Sequence, residues 1–243
     1  ENTKTIYERT KNLKNGFKDS DNRGWRFKIP MNEAVEYPEK QYKIPPYVMG
    51  LALGDGSFRE PDAISLSSSD EELVKSFASG LGENVTYKKC TGNYSYYFYI
   101  KDRCRYSIKE FLSEEPKLLG AYSEDKYIPK HYLLGSIEQR YELLQGLLDT
   151  DGTISKTNGK VQYTTISKQL AFDICELCRS LGMVTNIGID QHKEYKKSEG
   201  KAYVISIQCK KEFKPKLFRL NRKKERAIEY ANNDKRSEHK EFL

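Results

Sequence analysis

Two stretches decide the fold: Val48-Met49-Gly50-Leu51-Ala52-Leu53-Gly54-Asp55-Gly56 and Leu144-Gln145-Gly146-Leu147-Leu148-Asp149-Thr150-Asp151-Gly152. Each is an apolar run that reaches small or polar residues and closes on Asp-Gly, the second 96 residues after the first. Gly50 and Gly54 are four apart, as are Gly146 and Thr150, so in a helix each pair lies on one face. Small residues there let two helix backbones pack side by side. That packing brings their C-terminal ends, and with them Asp55 and Asp151, together. Gly56 and Gly152 are expected to end each helix in a left-handed cap and turn the chain into the next strand.

The text after each stretch is also duplicated. A strand-like run (63–67), a helix start at Ser69 and the pair Leu81-Gly82 follow the first; a strand-like run (161–166), a helix start at Ser167 and the pair Leu181-Gly182 follow the second. Two further β-type runs come after each Leu-Gly, at 85–89 and 96–101, and at 184–190 and 203–209. Each unit reads α-β-α-β-β, so the prediction is an α+β fold present twice. Pro46 suits a first helical position, where its missing N–H costs nothing. Ser136 with Gln139 predicts a capping box, and Ser69 with Glu72 and Ser107 with Glu110 repeat the device. Residues 1–36 match neither unit and are read as an N-terminal extension or the remnant of an adjoining domain.

The 243 residues suffice for one large or two medium domains, and 18 Tyr, 10 Phe and Trp25 supply material to bury, which excludes a disordered chain. Lys and Arg outnumber Asp and Glu by 42 to 35, a net charge of +7 that suits either solubility or a polyanion-binding face. No apolar stretch approaches the ~20 residues that span a bilayer, and no secretory signal opens the chain. Five cysteines, an odd number, fit free thiols in a reducing cytoplasm. Cys175 and Cys178 have the spacing of a redox or zinc pair, but they fall inside a predicted helix without a second pair and read as core thiols.

Two carboxylates gathered at helix C-terminal ends repel one another and the helix dipoles. A divalent cation offsets that cost, and Mg²⁺ held by paired acids, water and a substrate phosphate is what phosphodiester hydrolysis requires. The two motifs resemble the paired motifs of the LAGLIDADG, or dodecapeptide, homing endonucleases. Leu144 to Gly152 shares six of nine letters and Val48 to Gly56 shares four; Leu53 replaces the earlier Asp of the pattern, which Asp149 keeps. Ile44-Pro45-Pro46-Tyr47 before the first motif resembles intein-encoded members, as does Lys126-Tyr127-Ile128-Pro129 with Ser136 to Arg140 before the second. The chain neither begins with Cys or Ser nor ends in His-Asn, so it is expected to be an endonuclease region apart from its splicing segments, which would flank it covalently in a precursor, or a free-standing relative.

The resemblance implies two pseudo-symmetric α-β-β-α-β-β-α repeats, 37–130 and 131–243, the latter closing in a basic C-terminal helix. It implies a central pair of motif helices and, in each repeat, a saddle-shaped antiparallel sheet lying in the DNA major groove. The implied activity is metal-dependent cleavage of both strands of a long, asymmetric DNA target by a monomer; retention of both aspartates favours this over a DNA-binding regulator or RNA maturase of the same fold. Asp55 and Asp151 become the metal ligands, with Gly54 and Thr150 beside them, and Mg²⁺ the ion, for which Mn²⁺ can substitute. Lys101 and Lys210 are the catalytic lysines by position, with Lys211 and Lys168 as competitors. Residues placed to meet phosphates or base edges are Arg59, Lys88, Lys89, Lys156, Gln162, Asn186, Gln191, Lys196, Lys197 and Gln208. The run Arg219 to Arg226 is either a phosphate grip or a solvated helix face, and His192 is a further phosphate candidate.

Overall fold

The computed structural model describes residues 4–5, 32–60, 62–101, 104–190 and 201–232. The chain divides into two units, 1–32 with 239–243, and 33–238; every element below lies in the second. Its centre is a pair of helices, α1 (Pro46–Asp55) and α5 (Ile137–Thr150). Pro46 to Leu53 are all buried, as an all-round apolar helix requires. Ser136 and Gln139 form the predicted capping box at the start of α5, each side chain accepting the other's backbone N–H. The helices touch backbone to backbone. A Cβ on Gly50 would lie 2.4 Å from the Leu143 carbonyl oxygen, and one on Gly146 would lie 2.3 Å from that of Tyr47. Thr150 Oγ1 fills the notch at Gly54, where a Cβ would meet it at 2.0 Å.

Each motif helix leads into a sheet of the same topology. In the first half β1 (Gly56–Ser57), β2 (Ser65–Ser67), β4 (Ser95–Ile100) and β3 (Val85–Lys89) are neighbours in that order, and β5 (Cys104–Arg105) also pairs with β4. In the second half the order is β6 (Gly152–Ile154), β7 (Val161–Thr165), β9 (Ala202–Gln208) and β8 (Val184–Asp190). All pairings are antiparallel. The helices α2 (Glu71–Leu81) and α6 (Lys168–Ser180) are the matching elements between the strand pairs, and α7 (Asn221–Ala231) follows a 3₁₀ segment, Lys211–Leu217. Short helices α3 (Ile108–Phe111) and α4 (Lys130–Leu133) join the halves. The order is thus α-β-β-α-β-β in both halves, closed by α7 in the second. The residue pattern alone missed β1 and β6, which are too short to show alternation.

One apolar core runs through both halves, from Leu51, Phe77 and Phe98 to Leu147, Ile174 and Ile205. Residues 33–45 are fastened to the second half: buried Arg140 donates to the carbonyls of Gly135, Ser180 and Val35, and Lys40 exchanges bonds with the Gln139 side chain. Among the described residues no helix is long and apolar enough to cross a membrane.

Three local expectations fail. Gly56 is extended (φ −78°, ψ 147°) and Gly152 has no positive φ, so neither forms a left-handed cap. Glycine is required there because a Cβ would strike the helix's own carbonyls, Ala52 O at 2.5 Å and Leu148 O at 2.4 Å. Helix α2 starts after Asp70, not Ser69, and Asp70 makes no side-chain cap; Ser107 likewise precedes α3 without one. Ser167 does cap α6, accepting the Leu170 N–H.

Candidate active site at the paired helix ends

Because α1 and α5 cross at their glycines, Asp55 and Asp151 leave the helix ends into a shared electrostatic environment. Burial and the Asp151 charge push the Asp55 carboxyl up to about 7, against the pull of Lys126 and Lys223. Burial also raises Asp151, which stays open to solvent on one side; Lys126, Lys223 and a 3.3 Å bond from the Tyr163 hydroxyl work in the opposite direction. Tyr163 stands opposite Gly152 in the sheet, and its counterpart opposite Gly56 is Leu66. Asp151 therefore has a phenolic donor at the place where the first half offers Asp55 an aliphatic chain.

Two buried lysines close the helix ends. Lys126 Nζ donates to the carbonyl oxygens of Ala52 (3.4 Å), Leu53 (2.9 Å), Gly54 (3.1 Å) and Gly56 (2.8 Å). Lys223 Nζ repeats this on Leu148 (2.8 Å), Asp149 (2.7 Å), Thr150 (3.0 Å) and Gly152 (2.7 Å). Carbonyls at a helix C-terminus have no partner within the helix, and an ammonium there both satisfies them and meets the negative end of the dipole. This is why no left-handed cap forms: the lysine takes its place. Burial depresses both ammonium groups to about 8, against the opposing charges of the aspartates.

The lysines expected from the sequence to assist catalysis are a different pair. Lys101 is exposed just beyond β4, with φ 50°, and Lys210 precedes the 3₁₀ segment. Neither is among the charges that set Asp55 or Asp151, nor are Lys168 and Lys211. A signal for the other pair existed in the duplication: Lys126 and Lys223 are 97 residues apart, close to the 96 of the aspartates, whereas Lys101 and Lys210 are 109 apart. Lys223 also corrects the reading of the run Arg219 to Arg226 as all phosphate grip or solvated face, since it is 4% exposed and turned into the helix end.

Asp149, where Leu53 stands in the first motif, is 1% exposed and does not share the site with Asp151. Its Oδ2 accepts bonds from the Tyr47 hydroxyl (2.9 Å) and from the backbone N–H of Arg219 (3.0 Å) and Leu220 (3.1 Å). It ties α1 to the chain that enters α7.

The sheets carry the remaining candidates. Register aligns Thr153, Gln162, Ser206 and Asn186 in one row across the second sheet, with Ser57, Ser65, Tyr97 and Lys88 as the matching row in the first. Lys88 and Lys89 are both exposed but lie on opposite faces, as successive strand residues must. Lys88 stacks on Tyr99 and Lys89 on Tyr94 and Tyr96. Arg59 lies over the Tyr122 ring, Lys156 is exposed in the β6–β7 turn, and Gln208 is exposed at the end of β9. Gln191, His192, Lys196 and Lys197 lie outside the described residues. Cys175 and Cys178 are buried in α6, and burial pushes the Cys178 thiol well up, the reverse of what a reactive thiol needs.

Among the described residues no group of three or more His, Cys, Asp and Glu is placed to hold a metal. The donor set at the helix ends is instead two carboxylates, both raised and one against the other, with the Gly54 and Thr150 carbonyls each already accepting a lysine. All are hard oxygen donors, and so few protein ligands suit an ion that keeps its water, as Mg²⁺ does.

Residues 138–217 match the LAGLIDADG-like domain. The chain is 30% identical over 190 residues to a replicative DNA helicase DnaB of Mycobacterium intracellulare, covering 78% of this chain and 27% of that protein. It is 28% identical over 103 residues to a DNA gyrase polypeptide of Mycobacterium kansasii, covering 41% and 18%. The chain thus spans about a quarter or less of the curated relatives it matches. Among solved structures it is similar to mesophilic variants of the homing endonuclease I-DmoI (16% identity, TM-score 0.45, 78% of this chain and 94% of that one). It is also similar to I-DmoI in complex with DNA and Ca (17%, 0.46, 73% and 93%).

Proposed function

We propose, from the premise that this chain carries a LAGLIDADG-like domain, that it is a divalent-metal-dependent endonuclease cutting both strands of a long, asymmetric DNA target. The observation that carries this is the convergence of Asp55 and Asp151 at two glycine-packed helix ends, each end neutralised by a buried lysine. Residues 37–130 and 131–243 are the two repeats in this reading.

Asp55 and Asp151, with the Gly54 and Thr150 carbonyls, would hold Mg²⁺ or Mn²⁺. The bound ion supplies charge stabilisation at the scissile phosphate and an acidified water. The chain does the rest. Tyr163 orients the Asp151 carboxylate, Lys126 and Lys223 fix both helix ends and offset the carboxylate charge, and the exposed residues of the two polar rows, such as Lys88, Thr153 and Asn186, meet the duplex. Unequal rows suit an asymmetric site, because identical halves would read a palindrome. The partial cover of two longer DNA-handling proteins supports a segment embedded in a host chain; in this reading splicing segments flank it there.

Asp55→Asn and Asp151→Asn are each expected to retain DNA binding and to lose double-strand cleavage, measured on a duplex joining the coding sequences on either side of this chain. Wild-type cleavage rates in either variant would sink the metal assignment. Binding by the unaltered protein without cutting in Mg²⁺ or Mn²⁺ would instead make it a DNA-binding regulator.

A further inference from the structure

The two lysine caps are alike, but the ties that hold them cross between halves. Lys126 belongs to the first half and closes α1. Its backbone is fastened by the second: the Ser167 hydroxyl donates to the Lys126 carbonyl at 2.6 Å, and the Asp173 carboxylate accepts the Ile128 N–H at 2.8 Å. Lys223 belongs to the second half and closes α5. Its helix start is fastened by the first. The Asp70 carboxylate takes the guanidinium of adjacent Arg222 by two bonds (Nε 3.0 Å, Nη2 2.7 Å), and Glu72 accepts the Asn221 N–H at 3.2 and 3.3 Å. Asp70 and Ser167 hold the same place, the residue before α2 and before α6. They are 97 residues apart, the spacing of the two lysines.

We propose that Asp70, through Arg222, and Ser167 with Asp173 are positioning residues for the lysine caps of the opposite half, so that each half-site is set by the other repeat. The geometry supplies the crossing; its consequence for cleavage rests on the endonuclease reading above. An ammonium that bonds the carbonyls of one helix end tolerates little displacement of its backbone, so a loosened tie is felt chiefly at that end; because each lysine's charge also acts on both aspartates, the other end feels it less rather than not at all. The chemistry differs between the ties. The Ser167 tie is buried and neutral, while the Asp70–Arg222 pair is charged, bidentate and partly open to solvent, its Arg222 side chain 53% exposed.

Strand-resolved cleavage of an end-labelled duplex joining the flanking coding sequences tests this. Arg222→Gln is expected to slow one strand by about tenfold and the other markedly less; Asp70→Asn, whose lost charge also acts on Asp55, should slow that same strand most. Ser167→Ala and Asp173→Asn are expected to slow the opposite strand. Asp70→Asn keeps a good helix-start residue, and Asp173→Asn leaves the Ser167 cap intact, so loss of folding does not mask either half of the test. Equal slowing of both strands, or none, would overturn the proposal. A second readout needs no DNA and no metal: the ¹H–¹⁵N ammonium signals of Lys126 and Lys223 at fixed pH, visible because burial slows exchange. Asp70→Asn should broaden only the Lys223 signal and Asp173→Asn only that of Lys126. That crossed pattern in a protein that cuts no strand would uphold the anchoring and refute the endonuclease reading. A wild-type enzyme that cuts both strands, with both signals answering alike to both variants, would do the reverse.

Discussion

At the scale of single residues the two aspartates are unequal. Asp55 is lifted to about 7 by burial and by Asp151, while Tyr163 hydrogen-bonds Asp151 and no hydroxyl stands at Leu66. A raised carboxyl stabilises the metal-free protein in its protonated form, fully below the ordinary aspartate value of about 3.9, and this contribution is lost as pH rises through about 7. The lysines act in the other direction. Their depressed ammonium groups contribute most when neutral, above about 10.4, and that contribution is lost as pH falls through about 8. Near neutrality neither is present, so a cation that binds ionised carboxylates has most to offset there. The Mg²⁺-induced rise in Tm is therefore expected to be largest at neutral to slightly alkaline pH, to shrink toward pH 5, and to be much smaller in Asp55→Asn. Calorimetric melts with and without Mg²⁺ check this; a rise independent of pH would contradict it. Asp149 invites a separate test. Asp149→Ala strands the Tyr47 hydroxyl and two backbone N–H groups in the interior, and should cost about 3 kcal/mol in urea melts.

Elements meet where residues are smallest. Gly50 and Gly146 let α1 and α5 cross with backbone atoms in contact, and it is this crossing that delivers the helix ends to one place. The obstacle a Cβ would meet is backbone on the other helix, which cannot rotate away. Gly50→Ala and Gly146→Ala are each expected to lose about 3 kcal/mol of stability, read by urea denaturation, with metal binding weakened as the helix ends part. Gly92 offers the contrast. It has φ +81° and open space around it, so Gly92→Ala should cost only the left-handed strain of about 1 kcal/mol.

Over the whole molecule, duplication places two polar strand rows in equivalent positions on two sheets of one topology. If these rows and the exposed β6–β7 turn meet phosphates, affinity falls with salt as counterions are released. Lys88→Ala and Lys156→Ala should each lower the slope of log K against log salt by about 1, with little change in Tm because both side chains are exposed. Filter binding or fluorescence anisotropy across a salt series measures this. An unchanged slope would remove these lysines from the interface.

Periodicity and duplication were enough to read the paired helices, the longer strands, the capping box at Ser136 and the meeting of Asp55 and Asp151, because each is written in neighbouring residues or in a repeated spacing, whereas the two antiparallel sheets were implied by the family resemblance. The short strands after each motif, the extended conformation of Gly56 and Gly152, and the buried role of Lys126 and Lys223 were not legible in that way. The lysines act 71 and 72 residues from the aspartates they accompany, across a contact that forms only when the chain closes on itself. A lysine on a basic helix looks the same in sequence whether it faces water or four orphan carbonyls. Only the fold, by burying that end of the helix, decides which it is.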